Sequence, residues 1–127
     1  MSDQQEQRST TATRVISLRL PSTVDAALVR SATAAGRSVS NGLDWLLLNS
    51  FGNCQLLRRL EDCPDVWDAK LDARIQTSTF DQLKLATDQL DIPISVYVRK
   101  LLYHFYVTKR LEYVRTEGHY TLAGHHD

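Results

Sequence analysis

The stretch RVISLRLPSTVDAALVRSATAAGRSVSNGLDWLLLNSF, residues 14–51, decides the fold. Its first seven residues alternate. Ile16, Leu18 and Leu20 fall on one face, and Val15, Ser17 and Arg19 on the other. That period of two predicts a short strand with one buried face. Pro21 ends it, because proline has no N–H for a ladder. Ser22 or Thr23 is then positioned to cap a helix running through Ala35, with Val24, Leu28, Val29 and Ala32 as its apolar stripe. Gly36 is a natural stop. Ser38 is a second cap, opening a helix over 39–51 with Leu43, Leu46, Leu47 and Phe51 among its apolar positions.

Shifted by 55 residues, the same pattern recurs without a gap. Arg19 falls on Arg74, Leu20 on Ile75, Leu28 on Leu83, Ser40 on Ser95, Leu43 on Val98, Leu46 on Leu101, Leu47 on Leu102 and Phe51 on Tyr106. The second strand, KLDARI (70–75), buries Leu71, Ala73 and Ile75 and exposes Lys70, Asp72 and Arg74. A helix is expected over 78–90, and another from about Pro93, a favoured residue at a helix start, reaching as far as Thr116. An internal repeat of this kind is the most informative feature of the chain.

The units so defined are an N-terminal arm (1–13), a first strand-helix-helix unit (14–51), a linker (52–69), a second unit (70–117) and a tail (118–127). The arm, MSDQQEQRSTTAT, is polar and lacks the apolar stretch of a secretory signal, so it is expected to be disordered. In the linker, 55–61 is expected to add a helical turn or two before Pro64 breaks it. The tail shows no period and is expected to be loose. A lone strand leaves its backbone groups unsatisfied, so 15–20 is expected to pair antiparallel with 70–75, within the chain or between swapped copies. The fold class is α+β, mostly helical, as one pseudo-twofold domain carrying a two-stranded antiparallel ribbon.

The 127 residues carry 15 Lys and Arg against 15 Asp and Glu, a net charge of zero that argues mildly against nucleic acid. The distribution softens this, because residues 8–51 have a balance of +3 and residues 70–117 of +2. Acid concentrates at Glu61, Asp62, Asp65 and Asp68. No apolar run approaches the roughly 18 residues of a membrane span. Two cysteines, Cys54 and Cys63, make no disulfide framework, and inert thiols in a cytoplasmic chain are the simplest account. His104, His119, His125 and His126 lack close metal-ligand spacing, and no glycine-rich phosphate loop or nucleophile motif is present. Neither metal, cofactor nor enzymatic activity is therefore expected.

These residues resemble the ribbon-helix-helix repressors of the Arc and methionine-repressor type. The first unit carries the resemblance in Arg19-Leu20-Pro21, Gly36-Arg37-Ser38-Val39 and Asn49-Ser50-Phe51; the second carries it in Ile92-Pro93-Ile94-Ser95 and Val98-Arg99-Lys100-Leu101-Leu102. Together they cover about two thirds of the chain. The tandem arrangement is similar to proteins of conjugative relaxosomes and some viral regulators.

The resemblance implies that the paired strands enter the major groove of double-stranded DNA. Base readers would then be Val15, Ser17, Arg19, Lys70, Asp72 and Arg74. Arg suits guanine, Asp the cytosine amino group, and Val a thymine methyl. Phosphates would be held at the starts of the second helices, by Ser38, Val39, Ser40 and Asn41 and by Ile94, Ser95 and Val96. Alternative readings of the same residues stand beside these. Val15 can be a strand former alone, and Asp72 can pair with Lys70 or Arg74. Ser38 and Ser40 can be ordinary caps.

Gln76 stands where the strand-ending proline of the first unit would be, and the two reading faces differ, so an asymmetric target site is implied. Tyr97, Tyr103, Phe105, Tyr106 and Tyr113 are expected in the core or an interface, and the apolar run LDWLLL (43–48) suggests self-association through Trp45 and Leu48. The functional expectation is a transcriptional regulator. An accessory protein of a conjugation or replication origin is the alternative within DNA binding, and an antitoxin or interaction scaffold is the alternative outside it.

Overall fold

The computed structural model describes residues 12–116 and 119–124, with side chains through Glu112. The expected arm, apart from its last two residues, and Gly118 and the last three residues of the tail lie outside the described residues, as does the side chain of Tyr113 that was expected in the core or an interface. The order is β1 (Thr13–Leu20), α1 (Ser22–Ala34), α2 (Val39–Ser50), a three-ten turn (Phe51–Asn53), α3 (Cys54–Arg59), β2 (Ala69–Gln76), α4 (Thr77–Leu90), α5 (Ile94–Tyr106), β3 (Leu111–Thr116) and β4 (His119–Gly124). The class is α+β with helix dominant.

β1 and β2 form a two-stranded antiparallel ribbon within the chain, from Thr13 opposite Gln76 to Leu20 opposite Ala69. Ser17 opposes Asp72, and these two are themselves 55 residues apart, so the repeat and the register share one centre. The inner face of the ribbon carries Ile16, Leu18, Leu20, Leu71, Ala73 and Ile75, all buried. They sit on Leu28, Leu43, Leu46, Leu47, Leu83, Val98, Leu101 and Leu102 from the four long helices. Each such leucine, fully buried, contributes about 2 kcal/mol of hydrophobic stabilisation. The packing is crossed: α2 lies against β2, α5 against β1, α1 against α5 and α4 against α2.

Both first helices begin from an extended residue, Pro21 (φ −62°, ψ 143°) and Gln76 (φ −62°, ψ 145°). The expected Ser22 or Thr23 cap is not made. Ser22 lies inside the helix, and its amide and hydroxyl instead donate to the Asp68 carboxylate at 2.8 and 3.2 Å. The cap is thus supplied from the connecting segment, and the Ser22 amide holds the Asp68 carboxyl below its ordinary range. Ser38 does cap α2, accepting from the Asn41 amide at 3.1 Å.

Two expectations for the C-terminal part are corrected. α5 stops at Tyr106 rather than near Thr116, because the Val107 and Thr108 amides both turn back to the Tyr103 carbonyl and Lys109 adopts a left-handed φ of 59°. The chain then reverses into a hairpin, Leu111 opposite Gly124 to Thr116 opposite His119, where a loose tail was expected. β4 lies against α2 and the three-ten turn. Hydrogen bonding between two short strands and their packing on α2 and α5 replace the helical continuation that local composition permits.

Candidate nucleic-acid interface

The alternation of β1 and β2 places Val15, Ser17, Arg19, Lys70, Asp72 and Arg74 on the outer face, all exposed. The ladder groups them into three cross-strand pairs: Val15 with Arg74, Ser17 with Asp72, and Arg19 with Lys70. Three cations and one carboxylate share this face, so the ribbon surface is positive although the whole chain is neutral. The central pair is closed on itself. The Ser17 hydroxyl donates to Asp72 Oδ1, and Lys70 Nζ stands 3.9 Å from the same oxygen. Of the two alternatives for Asp72, the ion pair is therefore with Lys70. At these exposures, 59% and 57% of the side chains, it is worth at most about 1 kcal/mol.

A two-stranded ribbon has two outer edges with no neighbouring strand, and side chains from the helices cover both. On β2, the Arg74 amide donates to Ser40 Oγ (2.9 Å) and the Gln76 amide to Asp44 Oδ1 (3.2 Å). On β1, Arg99 Nη1 donates to the Arg19 carbonyl (3.0 Å). Asp44 and Arg99 are 55 residues apart and occupy the same place in α2 and α5. Their opposite chemistry has a local cause. The repeat partner of Gln76 is Pro21, which has no N–H for a carboxylate to accept. A guanidinium at 99 takes the nearby carbonyl instead.

Arg99, only 5% exposed, is neutralised by Asp62 of the connecting segment: Nε meets Oδ1 and Nη2 meets Oδ2, both at 2.9 Å. Its planar group also stacks on Trp67, 3.5 Å from the ring centroid. Asp62 accepts the Cys63 amide as well, at 2.7 Å, and Trp67 Nε1 donates to the Cys63 carbonyl at 3.1 Å. Sequence reading missed this cluster. A charged residue between Val98 and Leu101 on an apolar helix was the available signal.

The two helix starts expected to bind phosphate differ in their setting. Ser40 joins the start of α2 to the ribbon beside Arg74, and Val15, Ser40, Asp72, Ala73 and Arg74 line one open depression of about 330 Å³. Ser38 and Asn41 are exposed and Val39 is half-buried. Ile94, Ser95 and Val96 at the start of α5 are half-buried behind Pro93, which offers no capping side chain. Trp45, expected outward, is partly covered by the Arg37 guanidinium 4.6 Å from its ring, whereas Leu48 is 43% exposed.

Among the described residues, no helix is long and apolar enough to cross a membrane. No protein-family model matches the chain, and neither the curated proteins nor the solved structures compared with it include a match.

Proposed function

We propose that the chain binds double-stranded DNA sequence-specifically, laying the β1–β2 ribbon in the major groove, and acts as a transcriptional regulator of the tandem ribbon-helix-helix kind. The observation that carries this reading is the single outward face bearing Val15, Ser17, Arg19, Lys70, Asp72 and Arg74. A two-stranded ribbon fits the width of that groove, and these side chains have the donors, acceptors and methyls that base edges require.

The register supports a pseudo-twofold relation between the halves. Val15 opposes Arg74, and the repeat partners of these two, Lys70 and Arg19, oppose each other. The axis would pass between Ser17 and Asp72. Because a serine and an aspartate replace identical residues there, the preferred site would be asymmetric. The Arg19–Lys70 end favours guanines, and the Val15–Arg74 end a thymine beside a guanine. Phosphates would be held at the starts of α2 and α5, by Ser38, Val39, Ser40 and Asn41 and by Ile94, Ser95 and Val96. Copies are expected to associate on adjacent sites, with Leu48 on the exposed side of α2.

The test is affinity for the DNA upstream of its own gene at two salt concentrations, with a random-sequence selection beside it, for the wild type and an Arg19→Ala, Arg74→Ala double variant. Tight, salt-sensitive binding that the double variant loses is expected. The internally bonded Ser17–Asp72–Lys70 cluster and the zero net charge favour a second reading, an interaction scaffold. An empty selection would replace DNA binding with it.

A further inference from the structure

The connecting segment does more than span the two halves, because it closes around the end of β1 from two sides. Asp62 and Trp67 hold the Arg99 guanidinium, which in turn holds the Arg19 carbonyl. Three residues further on, Asp68 holds the Ser22 amide. Leu20 and Pro21 between them are buried. The peptide plane after Arg19 is thereby anchored on an edge that otherwise offers its carbonyl only to water. The Cα–Cβ direction of Arg19 follows from that plane, and its side chain leaves on the outer face. Lysine at 99 could reach one acceptor but could not hold two carboxylate oxygens, a carbonyl and an indole face together.

We propose that Arg99 is a positioning residue for the base reader Arg19, set in place by Asp62 and Trp67; this rests on the ribbon-readout reading above. The β2 reader Arg74 is held separately, through its own amide by Ser40. The connecting segment therefore acts on one end of the reading face only.

The experiment uses the full chain and the DNA site selected by the wild type. Relative affinities are measured for every single base-pair substitution of that site, for wild type, Arg19→Ala, Arg99→Lys and Asp62→Asn. Arg19→Ala identifies the base pair that Arg19 reads by flattening preference there. Arg99→Lys and Asp62→Asn are expected to weaken preference at that same base pair roughly tenfold, with other positions and the salt dependence preserved. Circular dichroism establishes that each variant is folded, and if Arg99→Lys is not, Asp62→Asn carries the test, since its side chain is 30% exposed and keeps its shape. A uniform loss across all base pairs, or an undiminished preference at the Arg19 position, overturns the positioning role while leaving ribbon readout intact. A wild type that selects no sequence overturns ribbon readout itself, and the positioning role with it.

Discussion

Gly36 and Asp91 close the first helix of each half with the same left-handed turn, at φ 71° and 57°, although only one of them is glycine. The hydrogen bonds correspond too: the Arg37 amide returns to the Ala32 carbonyl at 2.8 Å and the Ile92 amide to the Thr87 carbonyl at 3.1 Å. Nothing lies within 4 Å of where a Gly36 Cβ would be, so only backbone strain opposes a side chain there. Gly36→Ala is expected to cost about 1 kcal/mol, and Asp91→Gly to stabilise by about 0.5 kcal/mol, as read from urea unfolding. Shifts of the same sign would contradict the correspondence.

At the centre of the ribbon, Asp72 offsets positive charge and occupies Lys70. On the DNA-binding reading, Asp72→Asn frees Lys70, a base reader on the specific site, to meet a phosphate on DNA that lacks that site. The slope of log affinity against log salt on random-sequence DNA should then steepen by about 0.9. Filter binding over a salt series measures this, and folding stability should change by less than about 1 kcal/mol.

His104 is fully buried, with Nε2 at 2.7 Å from the Glu61 carbonyl and Nδ1 at 2.9 Å from the Thr108 hydroxyl. The Glu61 carbonyl can only accept, so Nε2 carries a proton and donates to it, and Nδ1 beside the Thr108 hydroxyl is the nitrogen that gains or loses one. Burial, with Arg110 and Lys100 adding to it, lowers the pKa from 6.5, so the unfolded chain takes up the proton more readily than the folded one. The contribution of His104 is complete above about pH 6.5 and declines as the pH falls below it. Urea midpoints at pH 7.5 and 5.5 should fall less in His104→Gln than in the wild type.

Tyr97 and Ser50 share a buried hydrogen bond of 2.7 Å, and the Ser50 hydroxyl is also 2.7 Å from the Leu47 carbonyl. Serine thus donates to Leu47 and accepts from tyrosine, and burial pushes the Tyr97 hydroxyl far above its ordinary range. Tyr97→Phe leaves Ser50 still bonded and should cost about 1 kcal/mol. Ser50→Ala strands the Tyr97 hydroxyl in the core and should cost more, about 2 kcal/mol. Guanidinium unfolding of the two variants ranks them.

The strands, the four long helices and the cross-strand pairing were readable because each rests on a local period or on the repeat. Ile16, Leu18 and Leu20 announce a strand face wherever they occur, and the offset between Ser17 and Asp72 predicts which strand completes it. Contacts distant in sequence left no such trace. Arg99 meets Asp62 across 37 residues and Arg19 across 80, and no periodicity encodes either. Lys100 is 8% exposed with Nζ on the Arg58 carbonyl, a burial of a long charged side chain that no local period marks. The end of α5 was misjudged because residues 107–116 tolerate helix locally, and what excludes it is the turn at Val107–Lys109 together with the pairing of 111–116 into β3.

Both strands of the ribbon belong to one polypeptide, so closing it is a first-order event that dilution does not reverse. A ribbon built from two identical chains dissociates as it grows scarce and receives every mutation twice. Here each half is inherited by itself. Aspartate at 44 and arginine at 99, each the sixth residue of its helix, show what that separateness permits: one meets an amide of β2 and the other a carbonyl of β1.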